Sequence, residues 1–196
     1  MLNLRELFKE EINNLPDYIV LVVADIGRYQ EVNIEILKLL VAEQKTPGVY
    51  VTLNKPYRIM QRLMKQNNID ERMVIFIDAV TNVGNDSIKI PNCLFIGSPE
   101  KLSDISMAID QAVKALQTES KFIFFDSLNT LAIFNNPPTV ARFVHFLTVK
   151  MRELKVKGVI TTLPKDIDEK ILDELTQLCD VRIDAGKNKK QLIGGG

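Results

Sequence analysis

The chain has no tryptophan, one histidine, two cysteines and no excess of either charge: 25 lysines and arginines stand against 25 aspartates and glutamates over 196 residues. Each scarcity excludes something. A lone His145 cannot build a histidine metal site, and no CxxC pair is present. Cys93 and Cys179 lie in an apolar strand-like stretch and at a helix end, contexts that predict buried thiols. The charge balance argues against nucleic-acid binding, which needs a basic footprint. No apolar run approaches membrane-spanning length. The opening "MLNLRELFKEEINNL" is too charged for a signal peptide, so a cytoplasmic chain is expected. It patterns instead as an amphipathic helix over 1–15, carried by Leu2, Leu4, Leu7, Phe8, Ile12 and Leu15.

What the chain does have is short, continuous apolar runs: "YIVLVVA" (18–24), "VYVTL" (49–53), "MVIFI" (73–77), "NCLFIG" (92–97), "KFIFFD" (121–126), "GVITT" (158–162) and "DVRID" (180–184). Such runs suit strands buried on both faces, as in a parallel sheet. Helical patterns fill the gaps. Ile59, Met60, Leu63 and Met64 share a face over 57–66. "SPEKLSDISMAIDQAVKAL" predicts a helix with Ser98 as cap, Pro99 at the first position and Glu100 in the first turn. "PPTVARFVHFLTVKMRELKVKG" starts on prolines and is expected to end at Gly158, and "DIDEKILDELTQLC" supplies a last short helix. The alternation predicts one three-layer α/β/α domain over 1–186 with a mainly parallel sheet, the runs at 49–53, 73–77, 121–126 and 158–162 in its centre. The stretches 78–91 and 128–137 look irregular, and the tail 187–196 is expected to fray, with Lys187, Lys189 and Lys190 as solvated charges. Ligands sit beyond the C-terminal ends of parallel strands, so the residues just after each strand matter most.

The first of these, "VLVVADIGRYQEVNIEILKLL" (20–40), has the layout of a phosphate loop: strand, glycine turn, helix. The frame G-x-x-x-x-G-K-[ST] laid on it puts Ala24 and Tyr29 at the two glycines, Gln30 at the lysine and Glu31 at the hydroxyl, and only the internal Gly27 keeps a glycine. A charge-assisted hydrogen bond is worth roughly 1.5–3 kcal/mol, which Gln30 does not replace. A carboxylate at Glu31 would repel phosphate by about 4 kcal/mol per unit charge at about 4 Å and an effective dielectric of about 20. A nucleoside-dependent methyltransferase would need more glycines after Gly27, and a dinucleotide fold needs G-x-G-x-x-G; neither is present. The plainest account of the loop is that Gly27 lets the chain turn and Asp25 caps it.

Five further pieces occur in a telling order: "GVYVTLNKPYRIMQRLMKQNNI", "NCLFIGSPEKLSDISMAIDQAVKAL", "KFIFFDSLNTL", "KGVITTL" and "LTQLCDVRID". Together, over about 18–184, they resemble RecA/KaiC-like ATPase domains, especially archaeal KaiC-like proteins. The resemblance implies a RecA-like fold, and it implies self-association, because such domains pack side by side. It places Asp126 at the magnesium-linked position with Ser127 beside it. It also places Asn54 and Lys55 where the family carries acids, one of which activates water, so the general base is missing. What remains are vestigial nucleotide-pocket positions, Gly27, Gln30, Glu31, Asp126 and Ser127, with no catalytic residue, no cofactor and no metal expected.

Other residues have plain roles. His145 patterns as a partly buried surface histidine, and Phe124, Phe125 and Phe134 as core. Asp78, after "MVIFI", faces the expected cleft and is the best candidate for a new polar role. The expectation is a non-catalytic scaffold or regulator that acts on itself or on a protein partner, with no membrane contact. The alternative is a nucleotide-binding protein or ATPase with an atypical site.

Overall fold

A computed structural model of the chain describes residues 4–12, 15–82, 90–164 and 169–185. All seven apolar runs are strands: β1 (Tyr18–Val23), β2 (Gly48–Thr52), β3 (Val74–Asp78), β4 (Cys93–Phe95), β5 (Phe122–Asp126), β6 (Lys157–Thr162) and β7 (Val181–Asp184). They form one sheet in the order β4-β3-β2-β5-β6-β1-β7, and every pairing is parallel. Residues of β1, β2 and β5 are buried throughout, as strands covered on both faces must be. The four strands expected in the interior of the sheet each have two neighbours, and so does β1.

The period-2 alternation of side chains divides the core into two layers. On one face Val20, Val22, Tyr50, Phe76, Phe122, Phe124 and Val159 pack with α1 (Leu4–Glu11), α2 (Tyr29–Leu37, continued by a wider turn over Lys38–Glu43) and α3 (Tyr57–Gln66). On the other, Ile19, Leu21, Val49, Val51, Ile123, Phe125 and Ile160 pack with α4 (Leu102–Ala115), α5 (Leu128–Phe134), α6 (Pro137–Glu153) and α7 (Glu169–Leu178). The chain leaves β1 and β2 on the first face and β5 and β6 on the second. A crevice therefore opens at the C-terminal ends of β1, β6, β5 and β2, where a parallel sheet takes its ligands.

Three local expectations fail for identifiable reasons. Helix α4 starts at Leu102, not at Pro99: Lys101 N–H bonds Ser98 O at 3.3 Å and Leu102 N–H bonds Glu100 O at 2.9 Å, so 98–101 form tight turns and Ser98 is not the cap. Helix α6 begins on Pro137 as expected, capped by Asn136 accepting from Thr139 N–H at 3.0 Å, but it ends at Glu153. Lys155 takes the left-handed conformation at φ 48°, while Gly158 lies inside β6, where a Cβ would stand 2.7 Å from Met151 Sδ. That glycine serves close packing and not a helix end. Residues 128–134, expected to be irregular, form α5, whose apolar content is too short to show a period. The N-terminal helix is present as α1. The tail 187–196, with Lys187, Lys189 and Lys190, lies outside the described residues, as does 83–89 of the loop after β3.

Candidate functional site

Strand alternation sends Phe122, Phe124 and Asp126 of β5 toward α2, along with Tyr50 of β2 and Thr161 of β6. Asp126 is completely buried there. Its Oδ1 accepts the Tyr29 hydroxyl and, at 3.1 Å, the Asn54 amide; its Oδ2 accepts the Tyr50 hydroxyl at 2.5 Å. The Tyr29 hydroxyl also lies 2.9 Å from Thr161 Oγ1. Tyr29 is the first residue of α2, so the helix start throws its ring inward onto the carboxylate. Burial raises the Asp126 pKa, and the donors from Tyr29, Tyr50 and Asn54 with the nearby Lys55 charge oppose that rise. Burial and the Asp126 charge push both phenols well above their ordinary range. The result is a neutral-phenol cage around one carboxyl.

The loop after β1 differs from a glycine-driven turn. Arg28 N–H bonds Asp25 O at 2.9 Å, and α2 has no side-chain cap, so the Asp25 side chain does not cap it. Gly27 does not adopt a left-handed conformation and a Cβ there would meet nothing within 4 Å, so the turn does not need glycine. Arg28 is paired with Glu31 at 2.9 Å, and that pairing holds the Glu31 carboxyl below its ordinary range. Gln30 is exposed. Ser127 is buried beside Asp126, its Oγ 3.4 Å from Thr130 Oγ1. The sequence-derived positions Gln30, Asp126 and Ser127 therefore do come together, whereas Gly27 and Glu31 face solvent.

Asp78 ends the other flank of β2 and is also completely buried. Its Oδ1 accepts the N–H groups of Val80 and Thr81, both at 2.8 Å, and its Oδ2 accepts Tyr57 N–H at 2.8 Å and the Thr81 hydroxyl at 2.6 Å. Four donors occupy it, so it fastens the start of α3 to the loop after β3 and has no capacity for a new polar role. His145 is exposed, not partly buried. Phe124 and Phe125 are core, but Phe134, the last residue of α5, is 50 % exposed. Cys93 is buried and Cys179 half-buried.

Sequence reasoning missed Tyr29 and Tyr50 as the partners of Asp126. The signal was available: a tyrosine inside the buried run "VYVTL" must find a hydrogen-bond partner, and a buried strand-end aspartate must find donors. Outside the cage lies a cleft of about 540 Å³, bordered by Ile26, Gln30, Asn54, Lys55, Thr130 and Ile133. Beneath Lys55 and Gln30 is a gap of about 10 Å³, room for about one water, reaching Asn33, Tyr50 and Asp126. Among the described residues no three His, Cys, Asp or Glu side chains gather as a metal site, and no helix is long and apolar enough to cross a membrane.

A family of unknown function, DUF7504, matches residues 32–185, most of the chain. The chain belongs to the DUF7504 family. The DUF7504 match covers every strand but β1 and begins in α2, just past the loop after β1. No curated protein matches the sequence. Two solved structures from the archaeon Pyrococcus horikoshii share the fold of this DUF7504 chain. The KaiC-like protein PH0186, from strain OT3, is 17 % identical with a TM-score of 0.64 over 90 % of this chain and 74 % of its own. The uncharacterized protein PH0321, solved in complex with an unknown peptide, is 12 % identical with a TM-score of 0.64 over 93 % of this chain and 84 % of its own. The fold of the DUF7504 chain is thus RecA/KaiC-like.

Proposed function

We propose that the chain is a non-catalytic RecA/KaiC-like protein, a pseudo-ATPase that works as a scaffold or regulator by associating with itself or with a protein partner. The observation that carries this reading is the cage on Asp126. A magnesium ion would need that carboxylate open to water and phosphate, yet both of its oxygens accept protein donors and none of its surface is exposed. The donor set does not fit a magnesium nucleotide. Gln30 brings no cation, Glu31 no hydroxyl, and Asn54 turns its amide inward where an acid would orient water. Partner surfaces are available. Lys150 ties α6 to Asp110 of α4 at 2.7 Å, and outside that tie Met107, Phe146 and Val149 are exposed. The peptide bound by PH0321 also favours a protein partner for this fold.

The alternative, a nucleotide-binding protein with an atypical site, draws on one observation: a cleft still opens at the strand ends and holds Lys55. Calorimetry with ATP and magnesium, beside a mass measurement in solution, separates the two. The non-catalytic reading expects no binding heat, and no hydrolysis after restoring Gln30→Lys with Glu31→Thr, because Tyr29 still covers Asp126. Magnesium-dependent turnover by the wild-type protein, abolished by Asp126→Asn, overturns it.

A further inference from the structure

The cleft outside the cage combines features that a merely emptied site would not keep together. Among the described residues that border it, Lys55 is the one cation. Lys55 is half-buried, its ammonium lies 5.6 Å from the centroid of the Tyr29 ring, and it makes no ion pair among the described residues. Asp126 feels this charge from below without being hydrogen-bonded to it. Arg28, in the loop after β1, is paired with Glu31. Around Lys55 stand the exposed Gln30 amide and the half-buried Thr130 hydroxyl, which lies 3.4 Å from the buried Ser127 Oγ. Asn129, by contrast, is fully engaged, accepting from Leu163 N–H at 2.6 Å and donating to Leu163 O at 3.0 Å, and it only braces the wall. Facing the polar floor are two isoleucines that folding has left uncovered: Ile26, 81 % exposed, and Ile133, 77 % exposed.

One uncommitted cation, neutral hydrogen-bonding groups and two bare aliphatic side chains specify a ligand. A polyphosphate would bring several charges to the single lysine that the described residues place at the cleft. A wholly apolar ligand would strip water from Lys55 and the polar floor without replacing it. We propose that this cleft binds a branched aliphatic carboxylate, its charge on Lys55 and its hydrocarbon between Ile26 and Ile133. A free branched acid and the C-terminal carboxylate of a peptide ending in an aliphatic residue present the same chemistry. The inference rests on the non-catalytic reading, because a nucleotide would claim the same space.

The test titrates the full chain with 4-methylpentanoate, with the peptide Ala-Ala-Ala-Leu bearing a free carboxylate, and with the same peptide amidated, followed by amide chemical shifts. Binding of either carboxylate, weakened about tenfold or more by amidation or by Lys55→Met, is expected, since a lost charge-assisted hydrogen bond is worth about that factor. Ile133→Ser is expected to weaken it severalfold. Comparable binding of both carboxylates assigns the site to free acids, and clear preference for the peptide assigns it to a chain terminus. The amidated arm needs no variant, so a folding defect in Lys55→Met leaves the test intact. Undiminished binding of the amide, or no binding of either carboxylate at about 10 mM, roughly tenfold above a millimolar dissociation constant, overturns the proposal. ATP titrated in parallel separates the failures. Tight ATP–magnesium binding removes the non-catalytic reading, whereas silence from ATP and from both carboxylates removes only the present inference.

Discussion

Asp126 and Asp78 are paired across β2: both stand in register with Thr52, one on each flank, and both are completely buried at a strand end. Their donors differ. Asp78 is held by three backbone N–H groups and a hydroxyl, all from the chain around it and the start of α3. Asp126 is held entirely by side chains, from α2, from β2 and from the loop after β2. Backbone donors are fixed by the path of the chain and make a carboxylate part of the fold. Side-chain donors are choices of sequence, and at Asp126 they fill a position that an open site would leave wet.

The sharpest way to break the comparison is to remove each acid. Asp78→Ala strands three backbone N–H groups in a buried place, and backbone donors cannot be substituted away. A loss of about 3–5 kcal/mol is expected, read as the shift in urea midpoint at unchanged slope. Asp126→Leu should cost clearly less when Tyr29 and Tyr50 are changed to Phe with it, since both sides of each bond are then removed together. Equal losses for the two sites would make Asp126 as much a part of the fold as Asp78.

Single hydroxyls come next. Tyr50→Phe leaves Oδ2 of a buried carboxyl without its donor and is expected to cost about 1.5–3 kcal/mol. Tyr18 supplies the control: it is similarly buried, but its hydroxyl has no hydrogen-bond partner among the described residues, so Tyr18→Phe should fall within about 0.5 kcal/mol of the wild type or gain stability. A cost for Tyr18→Phe matching that of Tyr50→Phe would show that ring packing, not the bond to Asp126, sets the value.

Acidity sharpens the same contrast more gently. The Asp126 pKa is raised above its ordinary 3.8, first by burial. A raised pKa contributes stability that is fully present below 3.8 and is lost as pH rises through the folded value. Asp126→Asn should therefore flatten the acid limb of the stability profile, measured as urea midpoints across mildly acid to neutral pH. The tyrosines give the opposite end. All four, Tyr18, Tyr29, Tyr50 and Tyr57, are raised above 10.0, burial being the first cause in each, so their contribution is present below pH 10.0 and lost as pH climbs further. Phenolate absorbance is expected to lag behind a free tyrosine and to rise together with unfolding. Phenolate forming at ordinary pH in the Tyr29 or Tyr50 side chain of a still-folded protein would dissolve the cage.

Much of this architecture is legible in the sequence because buried parallel strands need unbroken apolar runs, and all seven runs became strands within a residue or two of their expected ends. Gly158 was opaque because a glycine serving close approach to Met151 looks the same in sequence as one ending a helix. Helix α5 was opaque because seven residues carry too little periodicity. At the site, the position of Asp126 was readable and its occupancy was not. Bonds from Tyr29, 97 residues away in sequence, and Tyr50, 76 away, depend on a strand order that no local pattern encodes.

The smallest expected effect bears on the loop that first suggested a phosphate. If Gly27 were retained for a backbone curl around an anion, a side chain there would be costly. In the structure its backbone is not left-handed and a Cβ would meet no atom within 4 Å. Gly27→Ala therefore adds no strain to the folded state while narrowing the conformations open to the unfolded one, and a gain of about 0.4–1 kcal/mol is expected. Gly158→Ala provides the opposing case, because its Cβ would stand 2.7 Å from Met151 Sδ and 3.3 Å from both Ile19 Cγ1 and Tyr18 O. It should destabilise by about 1–3 kcal/mol through overpacking. Urea midpoints of the two variants measured side by side decide the matter. A loss at Gly27 comparable to that at Gly158 would mean that the loop after β1 still needs its glycine, and with it the conformational freedom that an anion-binding turn demands.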